Sequence, residues 1–566
     1  MIDTSISSCT NSNVSLGIDQ ACFSILNLYI NPVIFYAIAW EAYTGTGVPL
    51  ATLKPKSNTS LIISTKYPLH IYYQTVEPHK NYEYCHTTYT FKEYGSYGWN
   101  ISDADICSNI YVIHEPRNSY FPILTAFMIY MLLAVTWTTS KVIIRVIRGK
   151  LSPNNVYDDL NRLQEDNTTH PVIRVTKFSS RIQSVDAFRG IAILLMIFVN
   201  NGGGKYVFFN HSAWFGLSVA DLILPWFAWI MGMSITISKR AELRLTTSRV
   251  KITLCCLQRS AILIFLGLML NSVYSKSLND LRFPGILQLL AVSYFVCAIL
   301  ETIFMKPHSQ FGRFAIFRDI LDSWPQWLIM AGIVTTHTLI TFFLHIPNCP
   351  TGYFGPGGEY HYRGKYMNCT AGAAGYIDRL IFGNHTYSKT KDSVYGQILR
   401  YDPEGLMNTI SAIFIVYLGV HAGKILLLYY QGNARLIRWF LWAVFTGIIA
   451  GILCNFESEG GLIPVSKRMM TLSYVLICSS FAFLLYALLY FLIDYKQFWS
   501  GAPFIYAGIN PIFLYYGHIM AKDLFPWEWN IAHPSHASLL AMNLWTTTLW
   551  AIIAYLLYRK DIIITI

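Results

Sequence analysis

Charged residues are scarce in this chain. They make up 13% of its 566 residues, against about 25% in ordinary soluble domains. Hydrophobic residues reach 54% and aromatics 15%, which excludes an intrinsically disordered chain and argues against a soluble globule. The chain also lacks zinc-ligand spacings, a basic region with heptads and an RNA-binding aromatic signature. Its net charge of +11 therefore needs a source other than nucleic-acid binding. Met1–Ile30 has no basic segment followed by an apolar core, so no signal peptide is read there, and truncation of that end is expected.

What the chain does have is apolar runs. A bilayer crossing takes about 20 mostly apolar residues. Eleven runs qualify, at 121–140, 188–204, 215–238, 260–275, 285–304, 327–345, 407–429, 439–454, 469–494, 502–520 and 538–558. Basic residues crowd the segments 141–189, 239–259, 306–318, 435–438 and 559–560, whereas the alternate short loops hold few. The positive-inside rule accounts for this asymmetry and predicts a cytosolic C-terminus. The expected fold is a polytopic α-helical membrane protein of about eleven transmembrane helices. Its expected parts are a lumenal domain over 1–118, a first transmembrane helix over 119–140, a cytosolic loop over 141–187 and a ten-helix transmembrane unit over 188–566, with a lumenal loop at 346–405.

The two large lumenal segments look secretory. Between 60 and 113, alternation around Leu61, Ile63, His70–Gln74, Thr87–Phe91 and Ile110–Ile113 predicts a small β-rich, sandwich-like domain. Glycosylation sequons sit at Asn13, Asn58, Asn100, Asn368 and Asn384, all on this side. Cys85 and Cys107, and Cys349 and Cys369, bracket lumenal stretches where disulfides can form, although sequence does not decide pairing. Cys255, Cys256, Cys297 and Cys478 lie in or beside spans and read as packing residues.

Polar residues inside spans are costly and are functional candidates by default. Asp186 and Arg189 open the second span, three residues apart, and fit a plain ion pair. That span ends at Asn200, followed by Gly202, Gly203 and Gly204, a joint that lets backbone approach a ligand; His211 comes next. Asp221 precedes Pro225 in the third span, and Arg282 lies near the end of the fifth. Asp402 and Glu404 flank Pro403 and suit the first turn of the seventh span. Asn510 and His518 lie in the tenth. Composition and spacing alone leave a transporter and an enzyme equally open.

The motifs Arg181–Ala192, Val199–Tyr206, Trp324–Trp327, Cys349–Gly358, Ala371–Arg379 and Tyr401–Gly405, taken in order with matching spans between them, resemble the heparan-alpha-glucosaminide N-acetyltransferase family of lysosomal membrane enzymes. The resemblance covers nearly the whole chain. It implies transfer of acetyl from acetyl-CoA, a co-substrate rather than a resident cofactor, to the terminal non-reducing glucosamine of heparan sulfate, as a step in heparan sulfate degradation. It also implies a homodimer in the lysosomal membrane, with no metal. The family's active-site His follows its glycine triplet in Phe-x-His-x-x-Trp, which Phe209–Trp214 matches, so His211 inherits that role; the Asn opening Asn-x-Gly-Gly-Gly maps to Asn200. An imidazole can take the proton of the acceptor amine, and an amide N–H can donate to the developing oxyanion. Because the lumen is acidic, partial burial of His211 is expected to keep it basic. Direct transfer is expected, with an acetyl-His211 intermediate as the rival route. Arg282 is a candidate for donor phosphate or an acceptor anion, and Asp221, Asp402 and Glu404 for sugar hydroxyls or for anchoring helices. Asn510, His518 and the three glycines complete the binding candidates. Leu289 replaces an Arg usual in the family. The alternatives are a membrane transporter or an acyltransferase for another amino sugar.

Overall fold

The computed structural model describes all residues except 1–15, 40–46, 76–82, 103–106, 152–180, 246–247, 274, 276, 306–317, 388–390, 393 and 565–566. The sequon at Asn13 lies outside the described residues.

Eight strands form the N-terminal unit: β1 (Gln20–Asn27), β2 (Val33–Ala39), β3 (Val48–Leu53), β4 (Ser57–Ser64), β5 (Leu69–Thr75), β6 (Glu83–Tyr89), β7 (Ser96–Ile101) and β8 (Tyr111–His114). They make two four-stranded sheets, ordered β4-β1-β7-β8 and β3-β2-β5-β6. Phe23, Phe35 and Trp99 meet between the sheets, with the Phe23 and Phe35 ring centroids 5.8 Å apart. Four strands lie where alternation predicts them. The sheets also take in β1 and β2, whose near-continuous apolar runs mark strands buried against a second layer rather than half-exposed ones. A Cys85–Cys107 disulfide staples this unit, and a Cys349–Cys369 disulfide closes the first part of the long loop.

Among the described residues, ten helices are long and apolar enough to cross a membrane. They are α1 (Phe121–Leu151), α2 (Gln183–Asn200), α3 (Val219–Leu245), α4 (Arg249–Val273), α5 (Ile286–Phe304), α6 (Trp324–Phe343), α8 (Leu406–Leu428), α9 (Gly432–Leu453), α10 (Leu472–Tyr490) and α13 (His536–Arg559); α7 (Gly372–Phe382) is a shorter helix within the long loop. The run at 502–520, expected as the tenth of eleven spans, is instead two short helices, α11 (Phe504–Ile509) and α12 (Pro511–Met520). Pro511 has no N–H to continue the ladder and pushes the residue before it out of helical geometry; Asn510 sits at φ −120°, ψ 54°. The Asn510 side chain bonds the C-terminal backbone instead, donating to Ile562 O at 2.9 Å and accepting from Ile564 N at 2.8 Å.

Glycines let the inner helices touch backbone to backbone. A methyl group on Gly232 of α3 would come within 1.9 Å of Val416 O on α8, and one on Gly190 of α2 within 1.8 Å of Phe504 O on α11. These crossings bring α2, α3, α8 and α11 around one interior. By contrast, α1 is exposed along its apolar length, as a lipid-facing helix is.

Candidate active site

A cavity of about 350 Å³ runs between α2, α3, α4, α5 and the broken α11–α12 pair. On α2, Arg189, Ile193, Met196 and Asn200 recur every three or four residues and so share one face toward it. On α3 the lining runs from Ala220 to Ser234, about 21 Å of helix at 1.5 Å per residue. That is two thirds of a hydrocarbon core of about 30 Å. One end is cationic, with Arg181, Arg189 and Arg259 lining it. Arg189 donates to Ser234 Oγ on α3 at 2.8 Å and to Gly508 O at 3.0 Å, and it pairs with Asp186 at 3.1 Å. The Arg259 guanidinium lies 4.8 Å over the Tyr294 ring, and its Nε is buried without a hydrogen-bond partner.

The other end holds Asn200, His211, Glu404 and Lys467. His211 Nδ1 lies 2.8 Å from Asp221 Oδ1. Asp221 is held by its own helix start. Ser218 precedes α3, and its N–H and hydroxyl both donate to Asp221 Oδ2, at 3.1 and 2.9 Å, while the Asp221 N–H donates back to Ser218 O at 3.1 Å. The Ser218 N–H to Asp221 carboxylate bond is one half of a capping box, legible as Ser-x-x-Asp before an apolar run. The N–H and hydroxyl of Ser212 also donate to Oδ2, at 3.2 and 2.9 Å. Pro225, four residues on, cannot donate to the Asp221 carbonyl; the Tyr474 hydroxyl does so instead, at 2.5 Å. With Oδ2 committed, Oδ1 is the oxygen that faces the imidazole.

His211 is no more than half-buried, its side chain 51% exposed. It is surrounded by charge. Lys467, in the loop before α10, puts Nζ 2.8 Å from Nδ1, 3.2 Å from Nε2 and 3.6 Å from Asp221 Oδ1. Burial pulls the Lys467 ammonium below the ordinary lysine range, against the opposing pull of Asp221 and Glu404. Its partners 211 and 221 lie more than two hundred residues away, so no local pattern announces it.

The remaining candidates are placed as follows. Asn200 Nδ2 is 3.1 Å from His518 Nε2, which ties α2 to α12. Arg282 is engaged by two carboxylates, with Nε 2.7 Å from Asp402 Oδ2 and a further bond to Glu404. Those two pairings hold its guanidinium charged more firmly than usual, despite burial. Burial also raises the Glu404 carboxyl, partly offset by Arg282. Glu404 lines the cavity; Arg282, Asp402, Asn510 and His518 are not among its lining residues. Gly202, Gly203 and Gly204 all have positive φ and reverse the chain after α2, also off the cavity. The Gly204 carbonyl faces His536 Nδ1 at 2.7 Å. Asn58, Asn368 and Asn384 are exposed, and Asn100 is half-buried and bonded by Tyr111. Leu289 is buried in the helical core.

A base held by a carboxylate, at one end of a long, largely apolar passage with cations at the other, suits proton removal from a polar acceptor beside a large anionic donor. Residues 181–349 match the family model described as heparan-alpha-glucosaminide N-acetyltransferase, catalytic. The chain is 39% identical over 518 residues to the Homo sapiens protein named heparan-alpha-glucosaminide N-acetyltransferase, covering 85% of this chain and 77% of that protein. It is 37% identical over 592 residues to the Mus musculus protein of the same name, covering 97% and 89%.

Proposed function

From the fact that the chain belongs to the heparan-alpha-glucosaminide N-acetyltransferase family, we propose that its cavity brings acetyl-CoA and a heparan sulfate glucosamine end together at His211 from opposite faces of the membrane. The protein is an acetyl-CoA-dependent N-acetyltransferase and a multi-pass membrane protein. The reading places it in the lysosomal membrane, with residues 1–118 and the 346–405 loop lumenal, the C-terminus cytosolic and the acyltransferase unit over 188–566. It also includes the homodimer, which size measurement in detergent tests.

One observation carries the site assignment: the His211–Asp221 pair stands at the opposite end of the cavity from Arg181, Arg189 and Arg259. The three guanidiniums suit the phosphates of CoA, to which Arg binds bidentately. The apolar stretch between them suits the pantetheine arm. In this reading Nδ1–H donates to Asp221, leaving the Nε2 lone pair as base. Glucosamine arrives as an ammonium and loses one proton to Nε2. The amine lone pair then forms the C–N bond while the carbonyl π pair moves to oxygen. As the oxyanion collapses, the C–S bond breaks and the sulfur leaves with the pair, taking up a proton. Two protons leave nitrogen, one ending on CoA and the other released. Asn200 keeps one amide N–H beyond its bond to His518 and so remains a candidate donor to the reacting carbonyl.

The test is acetyl transfer from labelled acetyl-CoA to glucosamine by wild type and His211→Ala in detergent. Activity in wild type that vanishes in the variant supports the reading. Equal activity in both moves the reaction centre elsewhere, and transport of intact solute without transfer would favour the transporter. Labelled protein formed without acceptor and lost with His211 would favour the covalent route over direct transfer.

A further inference from the structure

Lys467 is held in place more firmly than a loop lysine has reason to be. The residues on either side of it are tied down. Ser466 Oγ donates to Trp214 O at 2.9 Å, and Ser466 N donates to Thr471 Oγ1 at 3.1 Å. Arg468 O accepts from both Tyr401 and Asn408, each at 2.6 Å. Two residues earlier, Val465 O accepts from Gly216 N at 2.8 Å. The loop before α10 is thus pinned to the segment that carries His211, and a half-buried ammonium is delivered to the imidazole.

The hydrogen-bond count around the ring limits what this ammonium can do. Nδ1 carries either a proton or a lone pair, so it cannot donate to Asp221 and accept from Lys467 at once. Because Oδ1 only accepts, Nδ1–H belongs to Asp221, and the Lys467 N–H groups are left facing Nε2 and the cavity. Nζ lies nearer Nδ1, at 2.8 Å, than Nε2, at 3.2 Å, so it sits over the ring and beside the Nε2 lone-pair direction, which stays open to an acceptor ammonium. Once the acceptor nitrogen takes that place, the Lys467 N–H groups lie beside it. The carbonyl oxygen under attack is two bonds from that nitrogen, within their reach.

We infer that Lys467 is a further catalytic residue, whose ammonium receives the negative charge that develops on the thioester carbonyl oxygen in the tetrahedral intermediate. This rests on the acetyltransferase reading with His211 as base. A cation already fixed in place needs little reorganisation as the oxyanion forms. Lys467 gives up no bond in the step: the C–N bond forms, the carbonyl pair moves to oxygen, and the ammonium stays protonated throughout. Asp221 balances its charge in the resting state.

The test compares Lys467→Met, Lys467→Arg and His211→Ala with wild type in detergent, measuring kcat, KM for acetyl-CoA and melting temperature. Removing one oxyanion donor lowers kcat by about 100-fold or more. Lys467→Met is expected to show that loss with KM for acetyl-CoA within about threefold, and Lys467→Arg to recover part of it. Should Lys467→Met fail to fold, Lys467→Gln is measured under the same criteria. A Lys467→Met or Lys467→Gln enzyme with kcat within about threefold of wild type, beside an inactive His211→Ala, overturns this inference alone. An active His211→Ala overturns the reading of the site and this inference with it.

Discussion

His211 and Asp221 are joined at 2.8 Å through Nδ1 and Oδ1, and the carboxylate is held by four further donors from Ser212 and Ser218. The pair therefore fixes which imidazole nitrogen carries the proton, as well as where the ring points. Asp221→Asn can keep most of these contacts yet presents an amide that can donate to Nδ1 and hold the wrong tautomer. We expect kcat to fall by about 100-fold or more while donor affinity is kept. Steady-state kinetics with glucosamine reads this out, and a variant with near-normal kcat would remove Asp221 from the mechanism.

The cationic end makes a different prediction. Arg259 has a buried Nε without a partner and a ring beneath its guanidinium, so its charge is presented to the cavity rather than spent within the protein. Arg259→Gln should raise KM for acetyl-CoA about tenfold or more, the loss of one charge-assisted contact, with kcat little changed. Acetyl-dephospho-CoA, which lacks the 3′-phosphate, tells which phosphate is involved: equal KM values in variant and wild type for this donor would assign the contact there. An unchanged KM for acetyl-CoA itself would exclude Arg259 from donor binding.

These two ends differ in how far the sequence announces them. The long spans are legible because length and apolarity are local properties, and His211 is legible through the motif around it. Asp221 was marked as a polar residue in a span, but its partnership with His211 depends on the turn between them. Lys467 and Arg259 were visible only as loop and span-end charge, because their roles depend on residues far away in the chain. Arg282 reads as a candidate for donor phosphate or an acceptor anion for the same reason: Asp402 and Glu404, which occupy it, come 120 and 122 residues later. The break at Asn510 was written in Pro511, yet the apolar run around it outweighed that signal.

The glycine contacts predict which small changes the helical core cannot absorb. Gly232→Ala puts a methyl within 1.9 Å of Val416 O and 2.8 Å of Val420 N, both backbone atoms of α8 that cannot swing aside. The helices must separate, and α3 carries Asp221. Overpacking of this kind costs about 1–3 kcal/mol or more. Thermal melting of purified protein should show the loss, together with lower activity per folded molecule; a melting curve that overlays wild type would mean that α3 and α8 have room to move.

The last prediction concerns acidity. Asp378 on α7 is buried, with Oδ1 accepting from Leu406 N at 2.9 Å at the start of α8 and Oδ2 left without a partner. Burial, reinforced by nearby Asp402, pushes its carboxyl up to about 7, with the Leu406 N–H and Arg379 pulling the other way. An unfolded aspartate titrates near 3.9, so between about pH 4 and pH 7 the folded protein holds a proton that the unfolded chain has lost. Stability then falls as pH rises through this window. The contribution is fully present below about pH 4, is progressively lost toward pH 7, and does not change further above it. The protonated form suits an acidic compartment. Asp378→Asn, which cannot ionise, should flatten this component: similar melting to wild type near pH 4, and higher melting than wild type at pH 8 by an amount equivalent to a few kcal/mol. Parallel melting profiles for the two proteins from pH 4 to pH 8 would show that Asp378 titrates as an ordinary carboxylate.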